Sequence, residues 1–216
     1  MNFVDIHTHA SWDSGLIQII DRSGEPFSAT KIKGYYSKGI HPWYVKANRL
    51  TEDIEKLENK LNDDSFLAIG ECGLDKLCST DFDLQLNAFR KQIELAEKYH
   101  KPLIVHCVKA FNELIQIRQE FNCKQAWIVH GFNGSPQLAK ELIDFGMFVS
   151  FGFDLNQKQS KAYKCIDSIP KNRLFLETDT SSKTIEDVYI LANNRLGIGI
   201  AQLKSQIWAN FKVLFQ

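Results

Sequence analysis

Residues 102–107 have the sequence PLIVHC, a short apolar run that ends in a histidine and a cysteine. Six similar runs occur elsewhere in the 216-residue chain. Runs rich in Val, Ile, Leu and Phe are typical of strands that are buried on both faces of a parallel sheet. Strands are therefore predicted over 2–8, 33–40, 66–71, 102–107, 125–130, 146–151 and 173–178.

Amphipathic patterns between these runs indicate helices. Residues 81–99, for example, place Phe82, Phe89 and Ile93 on one helical face. A regular alternation of strands and helices predicts an α/β fold with right-handed crossovers. The other helices are predicted over 51–62, 110–121, 136–144, 157–168, 184–195 and 199–213.

The segment 16–20, LIQII, breaks this alternation. It has the composition of a strand, but it follows the first strand too closely for a full helix to lie between them. The turn-rich segment 21–31 is expected to return the chain as a hairpin into 33–40. We therefore expect a TIM-like (β/α) barrel that is distorted and trimmed near its N-terminus, with the early helix layer missing. Because no linker is evident, residues 1–216 are predicted to form a single domain.

Composition limits the classes of function. Lys plus Arg and Asp plus Glu each number 26, so the chain lacks the basic excess of proteins that bind long nucleic acid through its phosphates. No run approaches the roughly 20 apolar residues of a membrane helix, and the N-terminal residues do not resemble a signal peptide. The five cysteines are irregularly spaced and are expected to be reduced. By default we expect a cytoplasmic location, no membrane association and no obligate protein partner.

Histidines and acidic residues lie at the ends of the predicted strands. His7 and His9 are two residues apart, so both project from the same face of a strand. Strand ends meet at one mouth of a barrel, where imidazoles and carboxylates suit Zn, Mn, Fe or Co and leave room for two ions. A single histidine at a strand end is more often a hydrogen-bonded core residue, but this many strand ends favour a metal site. The other candidate ligands at strand ends are Glu71, His106, His130 and Asp179.

Six segments resemble the signatures of the TatD-type metal-dependent hydrolases, in the same order and with similar spacing along nearly the whole chain. The resemblance implies a TIM-like barrel with two divalent metal ions, such as Zn, Mg or Mn, at its mouth. The segments are DIHTH (5–9), GIHPW (39–43), AIGECGLD (68–75), PLIVHC (102–107), IVHGFNG (128–134) and RLFLETD (173–179).

The same resemblance implies a role for each candidate ligand. Glu71 would bridge the two ions, and Asp179 would be the general base in hydrolysis by a metal-bound hydroxide. Glu71 and Asp179 are thus the expected catalytic residues. One ion would be held by His7, His9, Glu71 and Asp179, and the other by Glu71, His106 and His130.

Three further residues are expected around the ligands. His41, in GIHP, is interpreted as a group that supports a ligand or contacts substrate, and a structural role in the turn is the alternative. Asp5 shares a strand face with His7 and is interpreted as orienting a ligand imidazole; pairing with nearby backbone N–H groups is the alternative. Lys109 is expected to contact substrate, because Val108 stands where the family usually has an arginine.

Three functions remain open from the sequence. The leading hypothesis is a phosphodiester hydrolase, in the family's sense of a deoxyribonuclease, with DNA or a short nucleic acid as substrate and action at ends or on short single strands. The second is hydrolysis of an ester, amide or phosphoester in a small-molecule metabolite, which is favoured by Val108 and by the shortened segment after Asp179, TDTSSKTIEDV. The third is a non-catalytic metal-binding protein on the same scaffold.

Overall fold

The computed structural model of the chain describes residues 2–10, 15–27 and 34–216. The chain divides into two compact units. Unit 1 comprises Met1–Ile20 and Ile128–Gln216, and unit 2 comprises Asp21–Trp127. In each unit, strands alternate with helices and all the pairings between strands are parallel, which is the α/β pattern predicted from the sequence. The prediction of a single domain over 1–216 stays a prediction.

Unit 1 contains strands that come before the segment of unit 2 in the sequence and strands that come after it. Strand β1 pairs with β2, β6 pairs with β7, and β7 pairs with β8. A parallel bridge between Thr8 and Asp179 joins the end of β1 to the residues that follow β8. The strands are β1 (Val4–Thr8), β2 (Ile17–Asp21, which ends on the first residue of unit 2), β6 (Trp127–Val129), β7 (Phe148–Phe151) and β8 (Leu174–Leu176).

In the described part of unit 1, the helices before Gly199 begin at side-chain caps, and the last helix, Ile200–Phe215, begins without one. The Ser135 hydroxyl accepts a hydrogen bond from the Leu138 N–H, and Thr184 and Asp187 cap each other reciprocally. The Tyr189 hydroxyl packs onto β1, where it is hydrogen bonded to the backbone of Val4. These helices are α4 (Pro136–Asp144), α5 (Lys161–Cys165), α6 (Ile185–Leu196) and α7 (Ile200–Phe215).

Unit 2 has a three-stranded parallel sheet in the order β3, β4, β5. Its core includes Phe89 and Trp127, whose ring centroids are 5.3 Å apart. The Asp81 carboxylate accepts from the Leu84 N–H and starts the longest helix at the residue predicted. The elements are β3 (Tyr35–Ser37), α1 (Leu50–Glu58), β4 (Phe66–Asp75), α2 (Phe82–Tyr99), β5 (Leu103–Val108) and α3 (Phe111–Phe121).

Some predicted boundaries differ from the structure. Strand β4 continues four residues beyond the predicted 66–71, and the helix predicted over 157–168 is reduced to α5 with short 3₁₀ turns on either side. The hairpin predicted over 21–31 falls partly on residues 28–33, which lie outside the described residues. Among the residues that the structure describes, no helix is both long enough and apolar enough to cross a membrane.

Candidate metal-binding clusters

The first cluster lies in unit 1 and consists of His7, His9, His130 and Asp179; we call it the His7 cluster. The bridge between β1 and the end of β8 creates it, because the His9 N–H donates to the Asp179 carbonyl (3.1 Å) and the Asp179 N–H donates to the His7 carbonyl (3.0 Å). Asp179 has a left-handed backbone conformation (φ 51°) at this point. The backbone pairing therefore holds the Asp179 carboxylate beside both histidines of the H-x-H pair.

The side-chain distances in the His7 cluster suit metal ligation. Asp179 Oδ1 lies 3.3 Å from His9 Nε2 and 3.6 Å from His7 Nε2. The ring of His130 approaches the buried ring of His7 with their centroids 4.3 Å apart. Burial alone would raise the pKa of Asp179, but the neighbouring imidazoles of His7 and His9 outweigh burial and hold this pKa well below its usual range. Asp179 is consequently ionised at neutral pH, as a ligand must be.

Asp5 supports the segment that carries Asp179. Its two carboxylate oxygens accept hydrogen bonds from the Thr178 N–H (3.0 Å) and the Thr178 hydroxyl (2.6 Å), and that hydroxyl also contacts Thr8 Oγ1 (2.8 Å). Burial raises the pKa of Asp5 to about 7. These contacts match the interpretation that Asp5 pairs with backbone N–H groups. An orienting role toward a ligand imidazole stays a prediction.

Glu177 lies beside the His7 cluster and was not predicted from the sequence as a site residue. It is fully buried, its Oε1 accepts from the Gly131 N–H (2.6 Å), and the same oxygen lies 3.6 Å from His130 Nδ1. At 3.6 Å this is an electrostatic contact and not a hydrogen bond; the negative charge favours a proton on His130 Nδ1, which would leave Nε2 available to a metal. The available signal was the spacing: Glu177 precedes Asp179 by two residues, as His7 precedes His9.

The second cluster lies in unit 2 and consists of Glu71, His41, His106 and Asp75; we call it the Glu71 cluster. Glu71 Oε1 lies 2.7 Å from His106 Nδ1 and 3.1 Å from His41 Nε2. On its far side, His106 Nε2 lies 3.4 Å from Asp75 Oδ2. Because an ionised carboxylate only accepts hydrogen bonds, His106 donates its Nδ1–H to Glu71 Oε1, and Asp75 stands at the other nitrogen of the same ring.

His41 is a donor to Glu71 in this cluster. Its Nδ1 accepts a hydrogen bond from the Trp43 backbone N–H (3.1 Å), so Nδ1 carries no proton and the proton of the neutral ring is on Nε2. That proton points to Glu71 Oε1. A neutral imidazole in this tautomer has no free nitrogen lone pair for a metal, so His41 holds the carboxylate of Glu71 in place. The bond from the Trp43 N–H also matches the alternative of a structural role in the turn. Support of a metal ligand by His41 stays a prediction.

Two close approaches hold the Glu71 cluster together. A Cβ at Gly39 would lie 2.8 Å from the Glu71 carbonyl oxygen, so glycine lets the GIHPW segment approach β4. The side-chain amide of Gln92 is hydrogen bonded to both the N–H and the carbonyl of Ile40 and fixes that segment on α2. The Asp21 carboxylate accepts from the Glu71 N–H (2.8 Å), and this contact was also missed from the sequence.

The remaining predicted residue, Lys109, lies directly after β5 and is exposed. Its backbone is in the left-handed region (φ 56°). Val108, in the position where the family usually has arginine, is half-buried and contributes no charge. A contact between Lys109 and substrate stays a prediction. All five cysteines are free, and burial raises the pKa of Cys107 to about 12.

Comparison with known proteins identifies relatives of this chain. The family model described as TatD related DNase matches residues 16–216. A protein of Buchnera aphidicola (subsp. Acyrthosiphon pisum) named as an uncharacterized metal-dependent hydrolase, BU355, is 37% identical over 154 residues, which is 68% of this chain and 58% of that protein. A protein of Vairimorpha ceranae named as a putative deoxyribonuclease TATDN1 homolog is 29% identical over 164 residues, covering 74% of this chain and 58% of that protein.

The fold is shared with a solved structure along the whole chain. The TatD homolog YJJV of Escherichia coli K12 superposes with a TM-score of 0.84 at 20% identity, covering 99% of this chain and 97% of that one. This likeness confirms the predicted fold class, the TIM-like (β/α) barrel. The sequence matches to the two curated relatives span less than two thirds of their length.

Proposed function

The chain belongs to the TatD related DNase family, and on this premise we propose that it is a divalent-metal-dependent hydrolase that cleaves phosphodiester bonds. The observation that carries the proposal is the presence, in each unit, of a cluster of imidazoles and carboxylates with converging ligand atoms. Mixed imidazole and carboxylate donors suit Zn, Mn, Fe or Co. The name of the Vairimorpha relative, a putative deoxyribonuclease, supports phosphodiesters as the substrate class.

The His7 cluster fits one ion by distance. Ligand atoms around a tetrahedral Zn ion lie about 3.3 Å apart, because each is roughly 2.0–2.1 Å from the metal. The separations of 3.3 and 3.6 Å from Asp179 Oδ1 to His9 and His7 agree with this spacing. In the Glu71 cluster, Glu71 and His106 offer a carboxylate oxygen and an imidazole nitrogen to a second ion. Ligation of both ions by Glu71, and of the second by His130, rests on the family resemblance.

Bound divalent ions supply two effects: they lower the pKa of a water toward about 7 and they stabilise negative charge on a phosphoryl oxygen. Asp179 accepts the proton of the attacking water at its carboxylate and later returns it to the leaving oxygen. The neighbouring imidazoles hold the pKa of Asp179 below its usual range, so the carboxylate is ionised and can accept this proton. Asp75 and Glu177 lie beside the rings of His106 and His130 and would keep these rings oriented during the reaction.

The proposal is tested with protein that has been stripped of metal and reconstituted with Mg, Mn or Zn. We expect turnover of bis(p-nitrophenyl) phosphate and of a labelled single-stranded DNA that depends on the added metal. The variant Asp179→Asn is expected to lower kcat by about 100-fold or more, the usual effect of removing a general base. Asp144→Asn, an exposed carboxylate at the end of α4, is the matched control and should leave kcat unchanged. Full turnover in Asp179→Asn would refute the role given to this residue.

A second function is favoured by one observation, the half-buried Val108 at the end of β5, where the family usually has an arginine. With no cation at this position, a small substrate of low charge is easier to accommodate than a polyanion. p-Nitrophenyl phosphate and p-nitrophenyl acetate therefore belong in the same assay. Metal-dependent cleavage of these substrates without any of the phosphodiesters would support a metabolite hydrolase. Metal binding with no turnover of any substrate would support the non-catalytic alternative.

A further inference from the structure

Two neighbouring aromatic side chains in unit 2, Trp43 and Tyr44, are unusually exposed. Their relative exposures are 55% and 54%, although the two residues that precede this pair, His41 and Pro42, are buried. Both belong to the short 3₁₀ turn Pro42–Tyr44. Large aromatic rings are normally buried for their hydrophobic contribution, and adjacent exposed rings are typical of surfaces that bind a ligand.

A hydrogen bond from Trp43 and ring contacts of both residues with His41 place the two rings beside the Glu71 cluster. The Trp43 indole Nε1–H donates to Asp75 Oδ2 (2.6 Å), the carboxylate that stands behind His106. The ring centroids of Trp43 and Tyr44 lie 4.9 and 5.6 Å from that of His41, with interplanar angles of 81° and 48°. Neither ring is stacked face to face on the histidine. The turn therefore presents an ordered aromatic surface next to a cluster that we propose binds metal.

A cavity of about 580 Å³ opens beside the two rings and also borders Lys46 and Arg49. This volume lies in the range of about 300–1,000 Å³ that is usual for ligand sites. Most charges around the cavity are neutralised within the protein: Arg49 pairs with Asp53 (3.1 and 3.2 Å), Glu25 pairs with Arg22, and Lys56 pairs with Glu52 (2.5 Å). Within the described part of the chain, Lys46 has no ion-pair partner, so it leaves one positive charge at the cavity.

We propose that Trp43, Tyr44 and Lys46 form a nucleotide subsite for single-stranded DNA. One or both rings stack on an unpaired base, and the Lys46 ammonium contacts a backbone phosphate. The inference rests on the proposed phosphodiesterase function, for which it names the residues that hold a base and a phosphate of the substrate. Aromatic rings combined with cations are the usual means of holding single strands without sequence preference. A base inside a duplex has no free face, so the subsite requires an unpaired nucleotide.

The subsite is tested by binding rather than by cleavage. The probes are two hexanucleotides with a phosphorothioate backbone, which resists hydrolysis: one of six thymidines and one of six abasic residues with the same charge. The metal-loaded wild-type protein is expected to bind the thymidine probe at least about fivefold more tightly, the lower end of what one stacked base contributes. Tyr44→Leu and Trp43→Leu should each reduce this ratio toward one, and Tyr44→Phe should retain it. Tyr35→Leu, which removes an exposed tyrosine outside the cavity, is the matched control and should also retain it.

The role of Lys46 is tested separately, by the salt dependence of binding. Lys46→Gln should weaken the binding of both probes and reduce the slope of log K against log salt by about 0.7, as expected for one lost phosphate contact on a single strand. Equal binding of the two probes by wild type, or a ratio that neither aromatic variant changes, would overturn the subsite. Failure of the proposed function would give a separate result, the absence of metal-dependent cleavage of bis(p-nitrophenyl) phosphate. This substrate contains no nucleobase, so its cleavage does not depend on the subsite.

Discussion

The role of His41 gives a prediction whose size follows from the structure. His41→Asn keeps an acceptor near the Trp43 N–H but removes the Nε2–H that points to Glu71 Oε1 at 3.1 Å. A hydrogen bond to a charged group contributes about 1.5–3 kcal/mol, and loss of a residue that orients a metal ligand typically costs about 10–100-fold in metal affinity. We expect the affinity of the Glu71 cluster for Mn or Zn to fall by about this factor. His41→Gln, whose longer amide can reach Glu71, should recover part of the loss.

The assay is competition with a chromogenic chelator, which reports both affinity and the number of ions bound. If His41 holds Glu71 in place, the number of ions at saturating metal is the same in His41→Asn as in wild type, and only the affinity falls. If His41 is itself a ligand, one ion should be missing even at saturation. That second outcome, or an unchanged affinity, would refute the tautomer assigned to His41.

Two further predictions concern the framework of the clusters. Gly73→Ala should lower the free energy of unfolding by about 2 kcal/mol or more, because the new Cβ would lie 2.0 Å from the His106 carbonyl oxygen at a backbone with φ 140°. Urea denaturation measures this free energy. The control is Gly24→Ala, whose Cβ would meet nothing closer than 4.0 Å. For Asp5, whose pKa rises on folding to about 7, the protonated form is favoured in the folded protein. The metal-free wild type should therefore lose stability relative to Asp5→Asn as pH rises from about 4 to about 7, and parallel pH profiles of unfolding would contradict this.

The strands were predictable where an apolar run ends in a polar residue. PLIVHC became β5 (Leu103–Val108) almost as predicted, because both faces of such a strand are buried and the run has no competing pattern. The extension of β4 to Asp75 was missed because Gly70 and Gly73 resemble a turn in the sequence. In the structure these glycines allow β4 to continue against β5, where a side chain at Gly73 would collide with His106. The start of α5 was missed because Ser160, and not a residue near 157, is its N-cap.

Candidate ligands were predictable because they follow strands, whereas the groups behind them were not. The sequence identified His106, but not that Asp75 would stand behind it and be held there by the indole of Trp43. Burial opposes ionisation of Asp75, yet the hydrogen bonds from Trp43 and the Leu77 N–H lower its pKa. Such contacts join residues about 30 positions apart, and no local pattern encodes them. Asp21 was missed for the same reason, because its partner Glu71 is 50 positions away; for Glu177 the spacing from Asp179 was the one local signal.

The number of bound metal ions tests the central claim most directly. After reconstitution with Zn or Mn and removal of excess metal, elemental analysis should find about two ions per wild-type chain, as in two-metal hydrolases. His9→Asn and His106→Asn, one from each cluster, should each retain about one ion. His100→Asn is the matched control, because this exposed histidine lies outside both clusters in a left-handed conformation that asparagine tolerates. Wild-type protein without bound metal, or cluster variants that bind as many ions as the control, would contradict the account.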